Sequence, residues 1–138
     1  MDMKWKGAEV EKAIRAEAIK RLDMACIFLV GEVKKEISIG FPPPSAPGQP
    51  PHVRTGIYRS SITFETNDIG AQGKYQNESG DLVPYSGSKV QSKDPEGHVG
   101  TNTFYGPYLE LGTSKMSPRP HLVPVLEKNR KAIAGYFK

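Results

Sequence analysis

Apolar residues recur at spacings of three and four from Gly7 to Ile37, at Val10, Ile14, Ala18, Leu22, Ala25, Cys26, Leu29, Val33 and Ile37. That period predicts one long amphipathic helix, with Glu9, Glu11, Lys12, Arg15, Lys20, Arg21, Lys34, Lys35 and Glu36 mostly on a solvated opposite face. Burying an Ile or Leu of the stripe stabilises by roughly 1.5–3 kcal/mol, against about 0.3 kcal/mol for a surface charge pair. The stripe therefore decides how the helix docks. The run Gly40 to Pro51, GFPPPSAPGQPP, ends it, because successive prolines remove donors and hold the backbone extended. A stiff, exposed spacer is expected there, projecting from the body.

The period then falls to two. From Ile57 to Thr66, Tyr58, Ile62 and Phe64 alternate with Arg59, Ser61 and Thr63, which predicts a half-buried antiparallel strand opened by Arg54-Thr55-Gly56. Polar residues dominate from Asn67 to Gly97, where Gly70, Gly73, Gly80, Pro84, Gly87 and Pro95 mark turns. One or two hairpins fit, around Lys74-Tyr75-Gln76 and around Leu82 to Val90, and a loop across Ser86 to Glu96 fits equally. His98 to Thr103 is expected to pair with the strand that carries Tyr58.

Tyr105 to Leu126, YGPYLELGTSKMSPRPHLVPVL, is the most tightly punctuated stretch. Pro107 can set a first helical turn and Gly112 can close it, so Tyr108 to Leu111 reads as a very short helix. At about 100° per residue Tyr105, Tyr108, Leu109 and Leu111 share one side, expected to be buried, and Glu110 faces away. Ser114 to Arg119 reads as a loop. Pro120 starts a last helix with Leu122, Val125, Leu126, Ile133 and Phe137 as its apolar positions, expected to pack across the first helix.

These elements predict a single α+β domain over 1–138. A long N-terminal helix (1–39), a proline-rich loop (40–54), antiparallel strands with a Gly-rich loop (55–104) and an aromatic turn with a C-terminal helix (105–138) follow in order. Both helices are expected on one face of a small twisted antiparallel β-sheet. A chain of 138 residues suffices for one such core.

Charge and chemistry narrow the picture. The 19 Lys and Arg against 15 Asp and Glu are spread along the chain. They tolerate a polyanion without demanding one. Cys26 is the sole cysteine, which excludes an intrachain disulfide and fits a reducing, cytoplasmic compartment; at its place in the stripe it reads as a small buried hydrophobe. The most apolar run, Met24 to Val30, is too short to span a bilayer.

His52, His98 and His121 share no local ligand spacing and read as polar surface residues rather than metal ligands. Gly70-Ala-Gln-Gly73 lacks the glycines and the following helix of a phosphate loop. Asp94 and Glu96 lie in a loop too poorly scaffolded for paired-carboxylate catalysis. A nucleic-acid-binding module is the competing class, with Lys4, Lys6, Lys12, Arg15, Lys20 and Arg21 on the first helix and Lys128, Arg130 and Lys131 on the last. Glu9, Glu11, Glu17 and Asp23 interleave with the first group, and no aromatic stacking platform accompanies either. A small hydrolase or toxin has only chain length in its favour.

Three blocks carry a resemblance. Thr55-Gly56-Ile57-Tyr58-Arg59-Ser60-Ser61-Ile62, Tyr105-Gly106-Pro107-Tyr108-Leu109-Glu110-Leu111-Gly112-Thr113 and Arg119-Pro120-His121-Leu122-Val123-Pro124-Val125-Leu126 resemble, in order, blocks of tailed-phage neck proteins. That tail-component family is typified by gene product ten of an HK-type coliphage. The resemblance implies a virion structural protein, made in the host cytoplasm. It would be a tail-completion or head-tail joining subunit in a homo-oligomeric, hexameric ring, with a tail terminator capping the tail tube as the alternative.

Its implied partners are copies of itself, the connector or stopper, and the tail-terminator or tail-tube proteins, with DNA passing through the lumen without sequence-specific binding. No membrane, cofactor, metal or catalytic residue is implied. The structural or interface candidates are Arg59, Tyr105, Tyr108, Glu110, Gly112, Thr113, Arg119 and Pro120. Glu110 is expected to meet Arg59 or Arg119, within the subunit or across a boundary.

Overall fold

A computed structural model describes residues 7–40, 43–52 and 56–138. The expectations that fall on Lys4, Lys6, Pro42, Arg54 and Thr55 lie outside the described residues. The first element, helix α1, spans Gly7–Glu36, 30 residues, a rod of about 45 Å. Glu9 in its first turn and Lys34 and Lys35 in its last complement the helix dipole.

Its apolar stripe is used unevenly. Ile19, Ala25, Cys26 and Val33, followed by Ile37, are buried, whereas residues 8–17 are all exposed. Arg15 ties that exposed stretch to a loop, donating to the carbonyls of Lys93 at 3.0 Å and Ser92 at 3.2 Å.

The expected strand from Ile57 to Thr66 divides into helix α2, Ile57–Ser61, and strand β1, Thr63–Thr66. The period of two misleads because Tyr58 and Ile62 are also four apart, so they share a face of a helical turn as readily as of a strand. Gly56, at φ 82°, sets the turn, and the Ser61 hydroxyl donates back to the Tyr58 carbonyl at 2.6 Å. Ser61, expected on the outward face with Arg59, is consequently buried while Arg59 and Ser60 are exposed.

Strand β1 pairs antiparallel with β4, Gly97–Gly100, in the register Phe64 to Val99 and Thr66 to Gly97. The pairing partner expected for the His98 region is thus found, restricted to its strand portion. Strands β2, Gln72–Gln76, and β3, Leu82–Ser86, form a separate hairpin, so the strands make two two-stranded sheets rather than one. Asn77 closes that hairpin, its amide bonded to the Asp81 carbonyl and its side chain accepting from the Asp81 amide. Tyr75 and Tyr85 meet edge to face across it. The 87–96 segment carries no strand, in keeping with a loop there.

Helix α3, Gly106–Leu111, comes next, and the last helix breaks in two, α4 (Leu122–Lys128) and α5 (Arg130–Gly135). The break falls at Asn129, whose side-chain amide donates to the Val125 carbonyl at 2.9 Å, beside its own backbone N–H at 3.1 Å. A side chain competing for a helical carbonyl is a local alternative to continuing the ladder.

Val33, Ile37, Ile62 and Val125 form the centre of the core, with Leu29, Tyr58, Val99 and Leu122 packed around them. Long helix, closing helix and the β1–β4 sheet therefore meet at one place. Gly97 sits where a Cβ would lie 2.9 Å from the Cys26 sulfur, so the sheet approaches α1 this closely only because position 97 has no side chain. Thr66, fully buried, locks the same contact by donating to Asp23 at 2.5 Å. Burial also pushes the Cys26 thiol up to about 11, with the Asp23 carboxylate adding to it.

The described part of the proline loop is exposed at residues 43, 44 and 46–49, as expected, but it is fastened to the body at its middle. Ser45 is buried, and Arg119 donates to its hydroxyl at 2.9 Å and to its carbonyl at 3.2 Å. Gly48 adds a backbone bond to Pro118 at 3.0 Å. Ser45 offers two acceptors, its hydroxyl and its carbonyl, and the Arg119 guanidinium supplies a donor to each.

Candidate functional site

Helix α3 is short because Pro107 opens it and Gly112 closes it, as the punctuation predicts. Gly112 has φ 78° and its amide returns to the Tyr108 carbonyl at 2.8 Å. A Cβ there would also lie 2.8 Å from the Pro118 nitrogen, so both backbone conformation and space require glycine. The chain then reverses through a Thr113–Met116 bridge, with the Thr113 hydroxyl accepting from Lys115. The Arg119 amide comes back to the Leu109 carbonyl at 2.7 Å. That reversal lays the start of α4 against α3.

Glu110 occupies the meeting point. Its carboxylate accepts from the backbone amides of His121 at 2.8 Å, Leu122 at 3.2 Å and Val123 at 3.0 Å. These are orphan donors of the first turn of α4, whose own N-cap residue, His121, makes no side-chain cap. A carboxylate eleven residues upstream performs the capping instead. Burial by itself would raise the Glu110 carboxyl, but the three amides together with His121 outweigh it and hold it below the usual carboxylate range.

Within the subunit the expected ion pair with Arg59 or Arg119 is therefore not formed. Arg59 donates to the Lys34 carbonyl near the end of α1, and Arg119 is taken by Ser45. Three aligned backbone donors at a helix start outweigh an exposed guanidinium.

His121 is fully buried, which corrects its reading as a surface histidine. Its Nδ1 lies 2.9 Å from the Arg119 carbonyl and 3.2 Å from Glu110 Oε2, and its Nε2 is hydrogen-bonded to the Tyr58 hydroxyl. Burial first, then Glu110 and Tyr105, raise the Tyr58 phenol well above its ordinary range, so it stays protonated. Nδ1 faces two acceptor oxygens and so carries a proton, while Nε2 and the Tyr58 hydroxyl share one hydrogen bond. The Tyr58 ring also packs on Tyr105 at 5.6 Å and on His121 edge to face at 5.3 Å.

The inward side of α3 is not the one the apolar pattern predicts. Tyr108 is 53% and Leu111 75% exposed, while Gly106 is buried and Tyr105 and Leu109 are half-buried. Gly106 faces Thr101 and Tyr58 so closely that a Cβ would lie 2.6 Å from the Thr101 methyl. With that contact and the Glu110 cap both turned inward, Tyr108 and Leu111 are carried to solvent. Pro120, beside the buried imidazole, is half-buried, and Thr113 is exposed.

Beside the junction lies an open hollow of about 570 Å³ lined by Ile37, Tyr58, Arg59, Gln76, Tyr105 and Leu109, among others. Of the other two histidines, His52 lines this hollow and His98 does not. His52 hydrogen-bonds the Pro43 carbonyl at 2.6 Å. His98 bridges Glu65 at 3.0 Å and Glu96 at 2.8 Å on the surface, and those hydrogen bonds raise its pKa. Among the described residues no group of three His, Cys, Asp or Glu is placed to hold a metal ion, and no helix is long and apolar enough to cross a membrane.

Sequence reasoning missed Tyr58 and His121 as partners, Ser45 as the anchor of Arg119, and Glu110 as a cap. One signal was available for the last. A helix entered through Pro120-His121 lacks a Ser, Thr, Asp or Asn cap, and Glu110 is the only carboxylate between Gly97 and Leu126. Comparison with protein-family models, with curated proteins and with solved structures finds no match for the chain.

Proposed function

We propose that the chain is a structural subunit of a tailed-bacteriophage virion, a tail-completion or head-tail joining protein that forms a ring between the capsid connector and the tail. One observation carries this reading. The three blocks that resemble the neck family supply Tyr58, Glu110 and His121 respectively, and these side chains meet in one buried hydrogen-bonded junction. Of the three, Tyr58 also borders the open hollow, whereas Glu110 and His121 do not line it. Residues shared for the sake of a shape would be spent, as here, on fastening the aromatic turn to the closing helix.

Both nitrogens of His121 are engaged and the ring is out of contact with solvent, so no chemical step is assigned to it. The basic residues lend the nucleic-acid reading little support. Arg15, Arg21, Lys128 and Arg130 are bonded within the chain, to loop carbonyls or to Glu17, Glu36 and Glu127. DNA in this reading passes the subunit without being read by it.

The test is a phage lysate in which this chain is withheld. Filled heads and free tails of normal length that join when purified protein is added are the expected result. Overlong tails would point to tail termination instead, since an uncapped tube keeps growing. Fully joined, infectious particles made without the protein would overturn the reading.

A further inference from the structure

The open hollow beside the junction has walls of two kinds. Ile37, Ile57 and Leu109 give it aliphatic surface, and the Tyr58 and Tyr105 rings, 5.6 Å apart, give it an aromatic one. Its volume of about 570 Å³ falls within the range of roughly 300–1,000 Å³ usual for ligand sites. Among its described lining residues none is Asp or Glu, and the sequence between His52 and Gly56, Val53-Arg54-Thr55, contains no acid either. Glu110, the acid of the junction, does not line it and spends its oxygens on the amides of α4.

The polar groups of the lining are not equally available. His52 is bound to the Pro43 carbonyl through Nδ1, and the Gln76 amide donates to the Gly80 carbonyl at 3.1 Å. Arg59 donates through Nε alone, to the Lys34 carbonyl; among the described residues its terminal nitrogens have no hydrogen-bond partner and its charge has no carboxylate. That bond anchors the guanidinium and leaves its two-pronged end, which suits the two oxygens of a carboxylate. Burial raises the Tyr105 phenol, so its hydroxyl remains a donor among the lining groups.

We infer that the hollow receives a carboxylate carried beside an apolar side chain on a segment of a partner protein, with Arg59 taking the carboxylate and the aliphatic and aromatic walls taking the apolar group. The sign of the ligand follows from charge: a cation without a counter-ion, beside walls of low dielectric, favours an anion. Its apolar part follows from the walls. Nucleic acid would bring more negative charge than one guanidinium answers and little hydrocarbon for Ile37, Ile57 and Leu109 to cover. A small ligand is typically enclosed over roughly 70–90% of its surface, which an open hollow does not provide, whereas a segment held also by its flanks needs no enclosure. The site goes beyond the neck reading and does not rest on it.

Titration of the full chain, followed by amide NMR shifts, tests the site with two capped peptides, acetyl-Ala-Phe-Glu-Ala-amide and its Gln counterpart. The Glu peptide is expected to shift the amides of Gln76, Tyr105 and Leu109 saturably and to bind about tenfold tighter than the Gln peptide. Arg59→Gln is expected to abolish that difference. Lys89→Gln, which deletes the same charge outside the hollow, is expected to keep it. Both positions are exposed, so both variants are expected to melt as the parent does, which circular dichroism checks.

Absence of a saturable shift up to about 10 mM, equal binding of the two peptides, or unchanged discrimination in Arg59→Gln would overturn the inference. So would 3-phenylpropionate binding as tightly as the Glu peptide, the mark of a site for free acids, or hexathymidylate shifting the same amides more tightly than either peptide, the mark of a nucleic-acid contact. Failure of the neck reading looks different. A chain that discriminates the peptides but is dispensable for joining heads to tails would leave the site standing and remove the phage role.

Discussion

The two halves of α1 are written in the same apolar pattern and end in opposite circumstances. From Ile19 to Val33 the stripe lies under the sheet and the closing helix, with Gly97 admitting the sheet to within touching distance of Cys26. From residue 8 to residue 17 the same period runs on with every position exposed. A helix encodes a face that wants covering, and the code is silent about whether the cover comes from the same chain. In this protein the C-terminal half is covered by its own fold and the N-terminal half is offered outward.

The sharpest way to break that contrast is to truncate one residue of each half. Replacing Ile37, just beyond α1 and 1% exposed, by Ala is expected to lower stability in urea melts by about 2–5 kcal/mol. Replacing Ile14 by Ala is expected to stay within about 0.5 kcal/mol. Equal losses would mean that the exposed half is covered within the monomer.

The next effect belongs to the junction that closes the core over the buried half. Tyr58→Phe keeps the ring packing but strands the buried Nε2 of His121, and the expected cost is about 1–3 kcal/mol by the same melts. A neutral result would mean that the imidazole finds another partner.

Removing the Glu110 cap with Glu110→Ala is expected to cost about 1–2 kcal/mol near neutral pH. Because the folded carboxyl is held below its ordinary range, the cap's contribution is fully present above the unfolded pKa and is lost as pH falls through the folded one. Parent and variant melts are therefore expected to converge in acid. A gap that persists unchanged below the carboxylate range would show that charge on Glu110 is not what holds the closing helix.

The smallest effect is Tyr108→Ala. With that ring half in solvent, the loss is expected to fall under about 1 kcal/mol, where a buried tyrosine would cost several times as much. A large loss would mean that α3 presents its other side to the core.

Long-period features were legible in the chain. Helix α1 ends within a residue of where its apolar stripe stops, and α3 is bracketed by the proline and glycine that predict it. Short features were not. The five residues from Tyr58 to Ile62 satisfy a strand and a helical turn alike, and a six-residue helix offers too few positions for its apolar side to be told from its inward side. The site was legible as residues and illegible as contacts. Glu110, Arg119 and Tyr105 were all marked, yet the carboxylate found a helix start and the guanidinium a serine on the proline loop.

What the amino-acid order determined by itself is the set of rigid pieces and the places where they stop, because period, proline and glycine act within a few residues and need no partner. What only the tertiary structure decided is which face of each piece turns inward. That choice is made between segments: Gly106 and Gly97 permit contact where a Cβ would not fit, and the unpaired amides at the start of α4 draw the nearest carboxylate to them. Tyr108 is exposed for that reason, although its own neighbourhood in the sequence would have buried it.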